Sequence, residues 1–180
     1  LGSIGRRHLR LLREMVDVQV LWWRSGKGVH PRDVDKEMGV TIIDNLNQAI
    51  ERKPDFAIIS NPTALHVETA ITVAYAGIPF LIEKPVSDRL DGLDKLQDII
   101  KKKTLPVLVG FQLRYHPGYQ RLLELLKAGV IGQPLGFHGY VGQYLPNWRE
   151  NIPYQQSYSA KKDLGGGVIF DLCHEIDIAL

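Results

Sequence analysis

Apolar positions Ile4, Leu9, Leu12 and Val16 recur at helical spacing over residues 3–16, and the apolar run at 18–23 that follows reads as a buried strand. A Gly/Pro-containing loop at 26–31 leads to a short apolar patch at 40–43 and a helix over 46–52. The pattern then predicts a strand at 56–59, a helix over 64–76, a strand at 80–82, a helix over 90–101 and a strand at 107–109. Strands alternating with helices through short turns indicate a parallel sheet with crossover helices.

The pattern changes after Tyr115-His116-Pro117. A helix is predicted over 118–127, ending at Ala128-Gly129, and residues 135–145 alternate like a half-exposed antiparallel strand. These features divide the chain into a first domain at 1–114 and the start of a second at 115–180. Residues 146–163, rich in Tyr, Gln, Ser and Asn, suit a surface loop reaching toward a ligand. No internal repeat or low-complexity tract interrupts this order.

Composition adds little specificity. The 180 residues are 44% hydrophobic and 23% charged, and 22 Lys+Arg against 20 Asp+Glu give a formal charge of +2 without long like-charged blocks. That balance gives no reason to expect nucleic acid as a partner. A single cysteine, Cys173, excludes an internal disulfide framework and fits a reducing, cytoplasmic setting. No apolar run has the length of a membrane span, so no membrane is expected. The chain opens on Leu1 as though in the second half of a turn, and it closes on apolar residues without a stop signal. It reads as an interior piece of a longer protein, with a strand expected before Leu1.

Gly2 and Gly5 stand as G-x-x-G, with Ser3 and Ile4 between them, at the mouth of the first helix. Such a turn brings bare backbone and unpaired helix amides toward a pyrophosphate, although a glycine turn can also precede any helix. The strand–helix rhythm favours the dinucleotide reading. After the second strand of such a fold an acidic residue would grip the ribose of NAD; here Trp23-Arg24-Ser25-Gly26-Lys27 stands instead. Arg24, Ser25 and Lys27 suit a 2′-phosphate, tilting the expectation from NAD to NADP, or they form a solvated basic loop.

Ser60-Asn61-Pro62-Thr63 with His66 follows one strand and Glu83-Lys84-Pro85 the next, both at the carboxyl edge where open parallel sheets bind ligands. A lysine there can polarise a carbonyl or protonate an alkoxide; alone, the tripeptide could equally be a charged pair before a helix. Further on, Gly165-Gly166-Gly167 precedes Asp171, His174 and Glu175, which share one face of a predicted helix opposite an apolar stripe of Val168, Ile169, Leu172, Cys173 and Ile176. The neighbouring carboxylate would raise the imidazole pKa and fix its tautomer. An amphipathic helix with a solvated face gives the same pattern without chemistry. Cys173, on the apolar stripe, reads as a small core residue.

Together Gly2-Ser3-Ile4-Gly5-Arg6-Arg7-His8, Asn61-Pro62-Thr63 with His66, Glu83-Lys84-Pro85, Gly110 to Pro117, and Gly165-Gly166-Gly167 leading to Asp171, His174 and Asp177 resemble the Gfo/Idh/MocA family of nicotinamide-dependent oxidoreductases. The resemblance runs over essentially the whole chain. It implies a Rossmann-type domain, then an α/β domain with an open, mostly antiparallel sheet that supports substrate binding and homo-oligomer contacts. It also implies oxidation or reduction of a secondary alcohol or ketone on a sugar or related polyol, with NAD or NADP and no metal. By residue, it makes Lys84 the lysine of the Glu-Lys-Pro motif, His174 the acid/base and Asp171 its partner. The cofactor would be held by Gly2, Ser3, Ile4, Gly5, Arg24, Ser25, Asn61, Pro62, His66, Glu83, Lys84 and Gln112. Many members have three residues between this aspartate and histidine; here only Leu172 and Cys173 intervene, leaving open whether His174 or Lys84 takes the proton.

Arg114 and His116 would reach substrate oxygens or cap the domain junction. Gln143, Tyr144, Trp148, Arg149 and Tyr158 offer hydrogen bonds and flat faces to a polyhydroxylated ligand. His8, with Arg6 and Arg7, is assigned to the first helix and the phosphates. Two rivals share the fold: a glycosidase working through transient oxidation, and a non-catalytic dinucleotide-binding regulator, which would have no use for a proton donor. In the doubly wound order the first strand is central, so a chain lacking it would carry a gap in its sheet and is expected to aggregate or bind cofactor poorly.

Overall fold

A computed structural model describes residues 2–26, 39–148 and 153–180. Helix α1 (Ser3–Met15) buries Gly5 and Leu9, one turn apart, and turns Arg7, Arg10 and Arg13 outward. Strand β1 (Leu21–Trp23) pairs in parallel with β2 (Thr41–Ile43), and α2 (Leu46–Glu51), capped by the Asn45 side chain, leads on to β3 (Ala57–Ile59). β3, β4 (Phe80–Ile82) and β5 (Val107–Val109) form a second parallel sheet with β4 central.

The crossovers are α3 (His66–Tyr75) and α4 (Leu93–Lys103). α3 presents Ala70, Val73 and Ala74 to Ile59, Ile78, Phe80 and Ile82, while α4 adds Leu96 and Ile99 to the same core. Fully burying the Val, Leu, Ile and Phe side chains among these contributes about 1.5–3 kcal/mol each. α3 stops at Gly77, whose φ of +77° a residue with a Cβ adopts only at a cost. α4 carries Asp94 in its first turn and Lys101, Lys102 and Lys103 in its last, complementing the helix dipole. Because the strands run parallel, residues 60–61, 83–84 and 110–112 emerge at one edge of the sheet.

α5 (Pro117–Lys127) follows, then short 3₁₀ turns at Leu145–Trp148, Tyr154–Gln156, Tyr158–Ala160 and Lys162–Leu164, and two last helices, α6 (Val168–Asp171) and α7 (His174–Ala179).

Two expectations are corrected. The antiparallel strand at 135–145 does not form: residues 133–144 have no regular structure, with Leu135 97% and Tyr140 89% exposed. Alternation supplies a strand's faces, but only a partner supplies its hydrogen bonds, and no described segment pairs here. Both described sheets are parallel. The single helix expected to carry Asp171 and His174 is broken at Leu172 (φ −110°, ψ 36°). In a continuous helix the Asp171 carbonyl would accept the amide four residues on; here it receives the Lys84 ammonium at 2.6 Å.

Candidate active site

The parallel edge opens into a cleft of about 950 Å³, part of which lies between β1 and β3, strands of separate sheets. At one end is the glycine turn. Gly2 caps α1 with extended backbone and no side-chain bond, leaving the first helical amides without a side-chain cap; Gly5 is buried behind it, and Ser3 and Ile4 line the cleft. Unpaired amides, the positive end of a 13-residue helix and bare glycine backbone fit the pyrophosphate of a dinucleotide. Trp23, at the end of β1, and Arg24 and Ser25 just beyond it line the same cleft, whereas Lys27 lies outside the described residues.

The other end is built from three strand-end loops. After β3, the Asn61 amide donates to Thr69 Oγ1 at 2.9 Å while its own Oδ1 is buried without a partner. Pro62 starts the 3₁₀ turn that leads into α3. His66 is 1% exposed and spans two loops, with Nε2 2.9 Å from the Asn61 carbonyl and Nδ1 2.8 Å from that of Pro85. A neutral ring donates to only one of these carbonyls. Burial pushes the His66 pKa down, against the opposing pull of the two carbonyls. With both ring nitrogens facing backbone, His66 ties the two loops together and has no nitrogen free for a ligand.

After β4, Lys84 Nζ reaches the Asp171 carbonyl, and the Lys84–Pro85 peptide is cis. Glu83, 8% exposed, turns away from the lysine tip; its Oε1 lies 2.6 Å from His8 Nε2 and its Oε2 accepts the Lys84 amide at 3.3 Å. After β5, Gln112 Nε2 lies 3.2 Å from His174 Nε2, and the Phe111 ring meets the imidazole edge-on at 5.9 Å. Lys84, Gln112 and His174 thus share the cleft with the glycine turn.

The pairing of Asp171 with His174 is corrected. The Asp171 carboxylate is buried and turned back, accepting from Ser159 Oγ at 3.3 Å and from the Gly167 amide at 3.4 Å. The break at Leu172 separates the two side chains, and His174 Nδ1 is buried without a partner. The imidazole pKa is consequently lowered, not raised: burial is the main cause and the Lys84 charge the next. Cys173, half-buried, has its thiol pKa pushed up by burial, as suits a packing residue.

By NMR, His174 is expected to titrate below its ordinary value of 6.5, and Lys84→Met to move the midpoint back up. Because the unfolded imidazole binds a proton more readily, the same shift removes stability as pH falls from 6.5 through the folded pKa. A midpoint above 6.5 would contradict this electrostatic picture.

Arg114 holds both carboxylate oxygens of Asp177, its Nε 2.9 Å from Oδ2, and so ties the loop after β5 to α7. His116 caps α5, its Nδ1 accepting from the Gly118 amide at 3.1 Å. Of the loop candidates, Tyr158 lines the main cleft; Gln143, Tyr144 and Trp148 border a smaller hollow with Ser3, and Arg149 lies outside the described residues. Sequence reading passed over two features. His8 meets Glu83, 75 positions away, a contact that neither segment's own pattern signals. Gly166 packs on the turn at 158–160, which no local pattern encodes. No helix among the described residues is long and apolar enough to cross a membrane.

Parallel strands with helical crossovers and a glycine turn facing a cleft at the strand ends define a Rossmann-type dinucleotide-binding protein. Residues 1–111 match the family model described as "Oxidoreductase family, NAD-binding Rossmann fold", and residues 119–180 match the "GFO/IDH/MocA C-terminal domain". The chain belongs to the Gfo/Idh/MocA family of oxidoreductases. It is 31% identical over 130 residues to levoglucosan dehydrogenase of Pseudarthrobacter phenanthrenivorans, covering 70% of this chain and 33% of that protein. It is 29% identical over 151 residues to inositol 2-dehydrogenase of Pseudomonas fluorescens, covering 76% and 42%. An NAD-binding protein from Listeria innocua shares the fold with a TM-score of 0.72 at 22% identity, over 98% of this chain and 51% of that one. The chain therefore spans between a third and about two fifths of these two curated relatives.

Proposed function

We propose that this chain is the cofactor-binding and catalytic part of an NAD(P)-dependent oxidoreductase that interconverts a secondary alcohol and a ketone on a sugar or sugar derivative. The observation that carries the reading is the presence of the Lys84 ammonium and the His174 imidazole in the cleft that begins at the glycine turn. A nicotinamide bound there supplies the hydride acceptor or donor.

Lys84, anchored by the Asp171 carbonyl, presents a positive donor to the substrate oxygen and stabilises negative charge developing on it. His174, kept neutral by burial and by Lys84, is the group that takes the proton during alcohol oxidation and returns it in reduction. Asp171 acts by holding Lys84 through its carbonyl and the 159–167 turn through its carboxylate. Asn61, Pro62 and Gln112 flank the ring end, and Gly2, Ser3, Ile4 and Gly5 the phosphates.

Arg24 and Ser25, standing where a ribose-binding carboxylate would be, favour NADP over NAD. The named substrates of the relatives, levoglucosan and inositol, are polyhydroxylated rings, which suits the hydrogen-bonding side chains of Lys84, Gln112 and His174 in the cleft. Exposed Leu122, Leu123, Val130 and Ile131 are surfaces that an open antiparallel sheet and a second subunit would cover.

The test is to supply the purified protein with NAD or NADP and a panel of hexoses, anhydrosugars and inositols while following reduced-nicotinamide fluorescence. Turnover of a polyol, faster with NADP, is expected. Release of free sugar from a glycoside without accumulation of reduced cofactor would replace this reading with the redox glycosidase.

A further inference from the structure

The glycine turn and the lysine loop, distant in sequence, are joined by a side-chain contact. His8 lies on α1 three residues after Gly5, and its Nε2 sits 2.6 Å from Glu83 Oε1. Both side chains are largely withdrawn from solvent, at 22% and 11% exposure. The other carboxylate oxygen, Oε2, accepts the backbone amide of Lys84. The far wall is Gly110, at the end of β5, where a Cβ would lie 2.9 Å from Oε2; the carboxylate therefore occupies space that only glycine leaves open. Glu83 is thus fixed from three directions: α1, the Lys84 main chain and β5. Lys84 is in turn fixed at both ends, its amide by Glu83 and its ammonium by the Asp171 carbonyl.

Resting on the oxidoreductase reading above, we infer that His8 is a positioning residue: through Glu83 it couples the helix that receives the cofactor phosphates to the backbone of Lys84, and so sets the aim of the lysine. His8 touches no reacting atom in this scheme. A hydrogen bond from imidazole to a withdrawn carboxylate resists rotation of Glu83, and Glu83 cannot turn without releasing the Lys84 amide. A shift of α1 on engaging a phosphate is passed to the lysine loop through this contact. The function differs from phosphate binding, because the His8 nitrogen facing Glu83 is committed to the carboxylate.

Three variants of the intact protein test this: His8→Phe, which keeps the ring volume and removes the donor; His8→Gln, which keeps a donor; and Glu83→Gln, which removes the charge. His8→Phe and Glu83→Gln are each expected to lower kcat by about 10- to 100-fold, the scale of a misplacement near 1 Å, with KM for the cofactor changed by less than about threefold. His8→Gln is expected to recover most of what His8→Phe loses. Where His8→Phe does not fold, His8→Asn, whose amide ends short of Glu83, takes its place. A crystal structure of the donor-less variant is expected to show Lys84 Nζ displaced from the Asp171 carbonyl.

Unchanged kcat with a lowered melting temperature would overturn the inference in favour of packing alone. A raised cofactor KM with intact kcat would overturn it in favour of phosphate binding. Wild-type turnover, and its dependence on Lys84, judge the oxidoreductase reading separately, and the position of Lys84 Nζ in the variant crystal decides the coupling even where turnover is absent.

Discussion

Lys84→Ala is expected to lower kcat by about 10²- to 10⁴-fold, the usual span for losing a positioned proton-handling group, while leaving cofactor affinity nearly unchanged. The lysine is the cation held by the Asp171 carbonyl beside His174, so on the proposed function its removal takes away the charge that would stabilise the substrate oxygen. It also relieves the repulsion that helps keep His174 neutral, so the acid limb of the pH–rate profile should move toward higher pH as the rate falls. Steady-state kinetics with isothermal titration of the cofactor separates the two effects. A variant with wild-type kcat would remove Lys84 from the chemistry.

Gly166→Ala is the second large effect. A Cβ at this position would lie 2.1 Å from the Tyr158 carbonyl oxygen and 2.7 Å from that of Ser159, and backbone cannot swing aside as a side chain can. The 158–160 turn must move, and with it Ser159, which bonds the buried Asp171 carboxylate. Strain of this kind costs about 1–3 kcal/mol. Because Asp171 holds Lys84 through its carbonyl, turnover is expected to fall along with stability. Gly136→Ala is the control, since nothing lies within 4 Å of the added carbon. Denaturant titration of both variants measures the difference; equal stability of Gly166→Ala and wild type would contradict the packing described here.

The strands and crossovers of the first domain were legible in the sequence because their pattern is local. Runs such as Phe80-Leu81-Ile82 and the Ala70, Val73, Ala74 stripe need only their own periodicity to be recognised. Parallel pairing then brought Asn61, Lys84 and Gln112 to one edge, as strand ends must be in such a sheet. Failures came where distant residues override local preference. Residues 168–177 carry a sound amphipathic helical pattern, yet the Lys84 ammonium takes the Asp171 carbonyl and the helix breaks at Leu172. The break turns Asp171 from a partner of His174 into a support of the turn at 159–167, and it reverses the expected direction of the histidine's pKa. The alternating run at 135–145 failed for a related reason: a pattern names the faces of a strand, not the neighbour that completes it. The His8–Glu83 contact joins residues 75 positions apart and leaves no trace in either segment's pattern.

The most direct measurement is a crystal structure of the protein with a nicotinamide dinucleotide and a polyol bound together. The account predicts pyrophosphate at the Gly2–Gly5 turn, the nicotinamide near Asn61 and Gln112, and the substrate hydroxyl within hydrogen-bond reach of both Lys84 and His174. A nucleotide seated elsewhere, or a substrate oxygen facing neither side chain, would contradict it.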